Sequence, residues 1–173
     1  RVMMAPFTYR SRLKMPKLLI VGTNDRYWVV DAMNLYWDDL LGPKYILQVP
    51  NGGHDLGDGR EHALNTLSIF FQHAARGKSL PELSWNLTEG DKSNTLSIEA
   101  TPQPKQIKLW SATSSTLDFR ESEWSAKEHA VSQGETKIEI AHPAAGKHRA
   151  VFGEVTFMYK DRPYSLTTLV YKE

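Results

Sequence analysis

The segment "KLLIVGTNDRYWVV" (residues 17–30) sets the expected architecture of the first half of the chain. Its apolar run, residues 17–21, lies between Pro16 and Gly22, as is typical of a short strand buried on both faces. The run ends in "GTND", and an aromatic pair follows directly. Asp25 is therefore either a turn residue or a carboxylate that the strand delivers to a site.

The following segments repeat this alternation of strand and helix. Residues 31–41 have apolar side chains at helical spacing, and "KYILQVP" (44–50) predicts a second strand. After the glycine-rich loop 51–59, a second helix is predicted over 60–76. Its buried stripe is predicted to contain Leu64, Leu67, Phe71 and Ala74. Strand–helix–strand–helix order with short connections predicts a parallel sheet with flanking helices, an α/β class, for residues 1–79.

The stretch "GKSLPELSW" (77–85) is the expected hinge between two domains. Beyond it the spacing of apolar residues changes from helical to a period of two, as in Leu96, Ile98 and Ala100. Six or seven short strands separated by turn signals predict a small antiparallel β-sandwich of the fibronectin III or immunoglobulin type over residues 80–173.

The composition narrows the classes of function. Of the 173 residues, 40% are hydrophobic and 24% are charged, which is typical of a globular protein. A net charge of +1, with scattered Lys and Arg, argues against nucleic acid as a partner. No apolar run approaches the roughly 18 residues of a transmembrane segment. The absence of cysteine excludes disulfides, thiol catalysis and thiolate metal ligands.

The two predicted parallel strands carry candidate acid–base residues at their carboxyl ends, where functional groups of open parallel sheets collect. Asp25 follows the first strand, and His54 follows the second. An orienting carboxylate and a general-base histidine are two members of a nucleophile triad, and in α/β-hydrolases the acid precedes the histidine. Each residue also has a plainer interpretation, because Asp25 suits a turn or a helix N-cap and His54 suits an ordinary loop.

Other residues offer competing interpretations. Asp31 is a second candidate acid, although its position favours helix capping. Asp55 and Asp58 suggest metal ligands, but no second histidine lies at ligand spacing, so neither a metal nor another cofactor is expected. His62 and His73 fall on the solvent-facing side of the predicted helix.

Three tryptophans and one charged run characterise the second half. Trp85, Trp110 and Trp124 lie in or beside predicted strands, where aromatic side chains most often form core. The alternative is a surface platform for sugars or a partner protein. The run "FRESEWSAKEH" (119–129) is interpreted as a solvated strand or turn rather than a binding patch.

Two longer phrases carry a family resemblance. The first, "MPKLLIVGTNDRYWVVDAMNLYWDDLLGPKYILQVPNGGHDL" (15–56), contains "GTND" before an aromatic pair, then "NLYWDDL", "GPKY" and "VPN". The second is "LWSATSSTLDFRESEW" (109–124). Both resemble the PhoPQ-activated pathogenicity-related protein family, a branch of the α/β-hydrolases. The resemblance implies that Asp25 is the catalytic acid and His54 the catalytic base of a secreted or periplasmic, virulence-related hydrolase.

One feature departs from a serine hydrolase, because no serine lies in a Gly-x-Ser-x-Gly nucleophile turn. The expected explanation is that the chain is the C-terminal part of a longer hydrolase of esters or amides, with the nucleophile upstream of Arg1. Its partner would then be the missing N-terminal half or a second chain, and the chain alone would be inactive. The substrate, a small molecule or a peptide, stays unidentified. The alternative function is a non-catalytic secreted binding or signalling factor that keeps the hydrolase fold.

Overall fold

The computed structural model describes residues 6–173, and strands make up most of their regular structure. The strands are β1 Lys17–Gly22, β2 Lys44–Val49, β3 Glu82–Thr88, β4 Ser93–Thr101, β5 Gln106–Ser114, β6 Ser125–His129, β7 Glu135–Ala141, β8 His148–Tyr159, β9 Arg162–Thr167 and β10 Tyr171–Lys172. The α-helix of this part of the chain, α1, is Arg60–Ala74, and short 3-10 segments lie at Pro6–Arg12, Ala32–Leu35 and Gly57–Gly59. None of the helices in the described range is long and apolar enough to cross a membrane.

The strands β1 and β2 form a parallel pair, in register from Lys17 opposite Lys44 to Gly22 opposite Val49. Because parallel strands run in the same direction, the chain leaves both of them at the same edge. Pairing continues beyond the strands, since the backbone N–H of Thr23 donates to the carbonyl oxygen of Val49 at 3.0 Å. The loop after β1 therefore lies beside the loop after β2.

The remaining strands form two antiparallel sheets. One has the order β3-β4-β7, and the other has the order β10-β8-β5-β6, with β9 paired to β8. Leu96 and Ile98 of β4 are buried in the same core cluster as Val155 and Phe157 of β8. In the three-stranded sheet, the period of two in the sequence thus corresponds to strands that bury one face and leave the other more exposed, as in β4 and β7.

The other face of the five-stranded sheet packs on the parallel pair and its loops. Phe152 of β8 and Trp124 form a buried cluster with Val30, which follows the first of these loops. The backbone N–H of Gln48 in β2 also donates to Thr167 Oγ1 of β9 at 3.0 Å. The parallel pair is therefore anchored on the antiparallel part of the chain.

The largest hydrophobic core contains residues from both sides of position 79. Ile69 and Phe70 of α1 belong to the same buried cluster as Leu96 and Val155 of the antiparallel sheets. The two segments therefore share core packing. Their division into domains 1–79 and 80–173 stays a prediction.

The predicted α/β class is wrong. An α/β-hydrolase sheet needs several parallel strands covered by helices on both faces. The described residues contain a single parallel pair beside a five-stranded and a three-stranded antiparallel sheet. The error arose because the strand–helix pattern near the start of the chain was taken to define the class, although most of the strands lie beyond residue 80, where apolar residues have a period of two. The structure is predominantly antiparallel β.

Two local predictions for the first half also differ from the structure. Residues 31–41 form the 3-10 segment Ala32–Leu35 and turns instead of an α-helix. In α1, Leu64 and Phe71 of the predicted buried stripe are 53% and 61% exposed, whereas Ile69 is fully buried. Large apolar residues lie all around this helix, so their spacing alone could not identify the face that packs on the sheets.

Candidate active site

The loops after β1 and β2 approach each other at a point where only glycine fits. A Cβ atom on Gly22 would lie 2.3 Å from the carbonyl oxygens of both Gly52 and Gly53. These oxygens belong to the backbone, which cannot rotate away as the end of a flexible side chain can. The close approach brings Asp25, three residues after Gly22, beside His54, which follows Gly53.

Asp25 and His54 are joined by a hydrogen bond. The Nδ1 atom of His54 lies 2.8 Å from Oδ2 of Asp25, a distance typical of a charge-assisted hydrogen bond. The second carboxylate oxygen, Oδ1, accepts the backbone N–H groups of Tyr27 at 2.7 Å and Trp28 at 3.3 Å. Both oxygens therefore have partners, and the carboxylate is held with Oδ2 towards the imidazole.

Burial and hydrogen bonding act in opposite directions on the carboxyl group of Asp25, which is only 4% exposed. Burial alone raises its pKa. The hydrogen bonds from His54 and from the backbone of Tyr27 and Trp28 outweigh burial, so that the pKa of Asp25 lies below its ordinary value. Asp25 is thus ionised at neutral pH and favours a proton on His54 Nδ1.

The imidazole of His54 is accessible from solvent. Its side chain is 62% exposed, and its ring meets that of Tyr27 edge-on, with 5.0 Å between the ring centroids. When Nδ1–H donates to Asp25, the neutral ring keeps a lone pair on Nε2, which is the arrangement of a general base in a triad. Within residues 6–173, no serine hydroxyl hydrogen-bonds this nitrogen.

The competing acidic residues, Asp31 and Asp55, form contacts with groups other than His54. Asp31 forms an ion pair with Lys172, with 2.7 Å between Oδ2 and Nζ. Asp55 accepts the backbone N–H of Gly57 at 3.2 Å. Among the described residues, no group of three or more His, Asp or Glu side chains could hold a metal ion. Neither aspartate contacts His54, so Asp25 is the one of these candidate acids that pairs with the imidazole.

The two histidines of α1 also have protein contacts, which their interpretation as solvent-facing residues did not anticipate. His62 Nε2 lies 3.8 Å from Oε1 of Glu154 on β8. His73 Nδ1 donates to the carbonyl oxygen of Ile69 at 2.9 Å, and its ring packs on Tyr159. The hydrogen bond of His73 lies within α1, and the other two contacts join the helix to β8.

The tryptophans of the second half are mainly core residues. Trp124 is 2% exposed and packs against Phe152, which confirms the prediction for this position. Trp110 is partly buried, stacks on Phe152 and donates from Nε1 to Glu154 Oε2 at 2.6 Å. Trp85 is partly buried beside Trp37. Trp110 and Trp124 thus share one cluster around Phe152, and Trp85 packs elsewhere, so the three rings do not form one surface platform.

The segment 119–124 has a role at this site that its sequence did not reveal. It was interpreted as a solvated strand or turn, yet it contacts both candidate loops. Asn24 Nδ2 donates to the carbonyl oxygen of Arg120 at 3.0 Å, and Asn51 pairs with the backbone of Trp124. The sequence contained one indication of this contact. Residues 109–124 and residues 15–56, which include the loops of Asp25 and His54, resemble the same family.

Comparison with known proteins identifies a family. The profile of the PhoPQ-activated pathogenicity-related proteins matches residues 1–120. The autocrine proliferation repressor protein A of Dictyostelium discoideum is 29% identical over 125 residues, or 66% of this chain, but the chain spans only 25% of the repressor. No solved structure gives a significant match. The chain belongs to the PhoPQ-activated pathogenicity-related protein family.

Proposed function

We propose that this chain supplies the acid and the base of a serine hydrolase that cleaves esters or amides. His54 Nε2 takes the proton of a serine hydroxyl as its oxygen attacks the carbonyl carbon, and returns that proton to the leaving group. Asp25 orients the imidazole and stabilises its protonated form. The observation that carries the proposal is the 2.8 Å contact between His54 Nδ1 and Asp25 Oδ2, beside an accessible ring.

The nucleophile is proposed to come from a segment outside this chain, in a longer protein or in a second chain. No serine of the sequence lies in a nucleophile turn. The apolar side chains of Tyr27 and Trp28, next to Asp25, are 77% and 61% exposed and offer a surface for such a segment. In the described part of the chain β1 pairs with β2 alone, so its other edge is open to a further strand.

A fluorophosphonate probe, which labels activated serines covalently, tests this proposal together with turnover of a p-nitrophenyl ester. The chain alone is compared with a longer protein that includes sequence before Arg1, and labelling is expected only in the longer protein. In that protein Asp25→Asn and His54→Ala should each lower turnover by about 10⁴-fold or more, because triad members act as a unit. Asn34→Ala is the control, since the Asn34 side chain bonds Val170 O rather than either loop.

Two results would contradict the proposal. Turnover that survives Asp25→Asn or His54→Ala would remove that residue from the mechanism. Labelling of a serine within residues 1–173 of the chain alone would show that the nucleophile does not come from another segment.

A non-catalytic secreted binding or signalling factor is the second candidate function. The name of the Dictyostelium relative, a proliferation repressor, favours it. This candidate predicts that Asp25→Asn and His54→Ala leave the effect of added protein on cell doubling time unchanged. Loss of the effect in both variants would favour the hydrolase. Both candidates include export from the cytoplasm, which fractionation of the producing cells tests.

A further inference from the structure

Asn51, in the turn that follows β2, binds the backbone of Trp124 through both ends of its amide. Nδ2 donates to the carbonyl oxygen of Trp124 at 2.9 Å, and Oδ1 accepts its N–H at 2.8 Å. The φ angle of Asn51 is 57°, a left-handed conformation that asparagine adopts more readily than most residues. This double hydrogen bond holds residues 120–124, here called the bracing segment, against the loop of the base.

Thr23 and Asn24 connect the loop of the acid to the same segment. Thr23 Oγ1 accepts the N–H of Asn51 at 2.9 Å and donates to Asn24 Oδ1 at 2.7 Å. Asn24 Nδ2 donates in turn to the carbonyl oxygens of Arg120 at 3.0 Å and Ser122 at 2.8 Å. The hydrogen bonds therefore form a closed ring, which returns to Asn51 through the backbone of the bracing segment.

The hydroxyl of Thr23 is the shared link of this ring, and its residue is only 1% exposed. Water cannot readily replace a buried partner, so loss of the hydroxyl would leave both the N–H of Asn51 and Oδ1 of Asn24 without it. The ring is thus a connected network rather than a set of separate surface contacts.

We propose that Thr23, Asn24 and Asn51 are positioning residues that set the distance between Asp25 and His54. Asn24 directly precedes the acid, and Asn51 lies three residues before the base. By tying both loops to the bracing segment, the ring makes the antiparallel part of the chain a structural component of the candidate site. The significance of this spacing for catalysis rests on the proposed function, because an acid and a base cooperate only within hydrogen-bond reach.

The tautomer of His54 reports the position of its ring without any turnover. In the ¹⁵N-labelled chain, long-range ¹H–¹⁵N correlation spectra show which ring nitrogen carries the proton of the neutral imidazole. Pairing with Asp25 holds the proton on Nδ1, whereas an unconstrained ring in water favours Nε2. The unchanged chain should therefore show mainly the Nδ1–H form.

Two substitutions break the ring at different points. Thr23→Val removes the shared hydroxyl at nearly constant volume, and Asn51→Gly removes the amide while keeping a residue that tolerates a φ of 57°. Each should shift the His54 ring from mainly Nδ1–H to mainly Nε2–H. Thr23→Ser retains the hydroxyl and should restore the Nδ1–H form.

Two further variants calibrate the measurement. Asp25→Asn is the reference for a reversed tautomer, as expected when the orienting carboxylate becomes an amide. Asn34→Ala is the matched control, because it also removes a side-chain hydrogen bond to a backbone carbonyl of the second half, Val170 O at 2.7 Å, but leaves the ring intact. Its tautomer should equal that of the unchanged chain.

The outcomes separate this inference from the proposed hydrolase. If Thr23→Val and Asn51→Gly keep the Nδ1–H form while Asp25→Asn reverses it, the positioning role is overturned and the acid–base pair stands. If Thr23→Val and Asn51→Gly both change the tautomer to Nε2–H, the positioning role is supported. That result holds even if the fluorophosphonate probe labels no serine. Reversal in Asn34→Ala would also overturn it, since general loosening would then explain the shift. If a variant fails to fold, Asn24→Ala, at a half-buried position, takes its place.

Discussion

Replacing Gly22 by alanine should separate the two loops that carry the proposed acid, Asp25, and the proposed base, His54. The added Cβ would lie 2.3 Å from the carbonyl oxygens of Gly52 and Gly53, and real Cβ contacts are essentially never closer than 3.0 Å. Because both oxygens belong to the backbone, the loops must move apart. Overpacking of this kind costs about 1–3 kcal/mol of unfolding free energy. A displacement of about 1 Å at a reacting pair can lower the rate about 100-fold.

Urea-induced unfolding measures the loss of stability in Gly22→Ala, and thermal unfolding should show a Tm lower by about 2–4 °C for each kcal/mol. The His54 tautomer then reports whether the contact with Asp25 has opened. Gly53→Ala is the matched control, because a Cβ there would meet Asp55 Oδ1 at an ordinary 3.6 Å. A Gly22→Ala variant that is as stable as Gly53→Ala and keeps the Nδ1–H tautomer would refute this account of the close approach.

Three further predictions concern stability. Asp25→Asn removes a carboxylate whose pKa is lowered below its ordinary value of 3.8 in the folded chain, so its stabilising contribution is present above pH 3.8 and is lost as the pH falls through the lowered pKa. The unfolding free energies of the unchanged chain and of Asp25→Asn, measured in urea, should therefore converge as the pH is lowered. A difference that stays constant would contradict an ionised Asp25 beside His54. On α1, Ile69→Ala should lower the free energy of unfolding by about 2–5 kcal/mol. Phe71→Ala, at an exposed position, should lower it by at most about 0.5 kcal/mol. Equal losses would mean that the wrong face of the helix was assigned to the core. The hydrogen bonds of His142 with Glu173 and with the carbonyl of Gly90 raise the pKa of this imidazole above 6.5, so its stabilising effect is complete below pH 6.5 and is lost as the pH rises through the raised pKa. The stability difference between the unchanged chain and His142→Ala should shrink over that rise, as followed by urea unfolding at a series of pH values.

Local signals in the sequence were sufficient to find the elements that carry the candidate site. The predicted positions of β1, β2 and α1 agree with the structure to within two residues at each end. Proline and glycine bound the first strand, and its apolar run is continuous, so the pattern leaves little choice. The class was misjudged because it depends on how many strands pair in parallel, which is a long-range property.

The orientation of α1 shows a different limit of local information. Leu64 and Phe71 were predicted to be buried, but the face containing Ile69 and Phe70 packs on the sheets instead. Both faces of this helix contain large apolar residues, so the sequence allows more than one orientation. The shape of the surface that receives the helix selects between them. That surface is built by β9, far along the chain, together with β1 and β2, which precede the helix.

By itself, the sequence determined the order of the first strands, the glycine that ends the first of them, and the presence of Asp25 and His54 after successive strands, because runs of apolar residues and turn chemistry are properties of short segments. Only the tertiary structure decided that the chain is mainly antiparallel β and that Asn24 and Asn51 meet a segment that lies 73 to 98 residues away in sequence. Those contacts depend on which distant surfaces pack together, and the packing of distant surfaces cannot be read from any short stretch of residues.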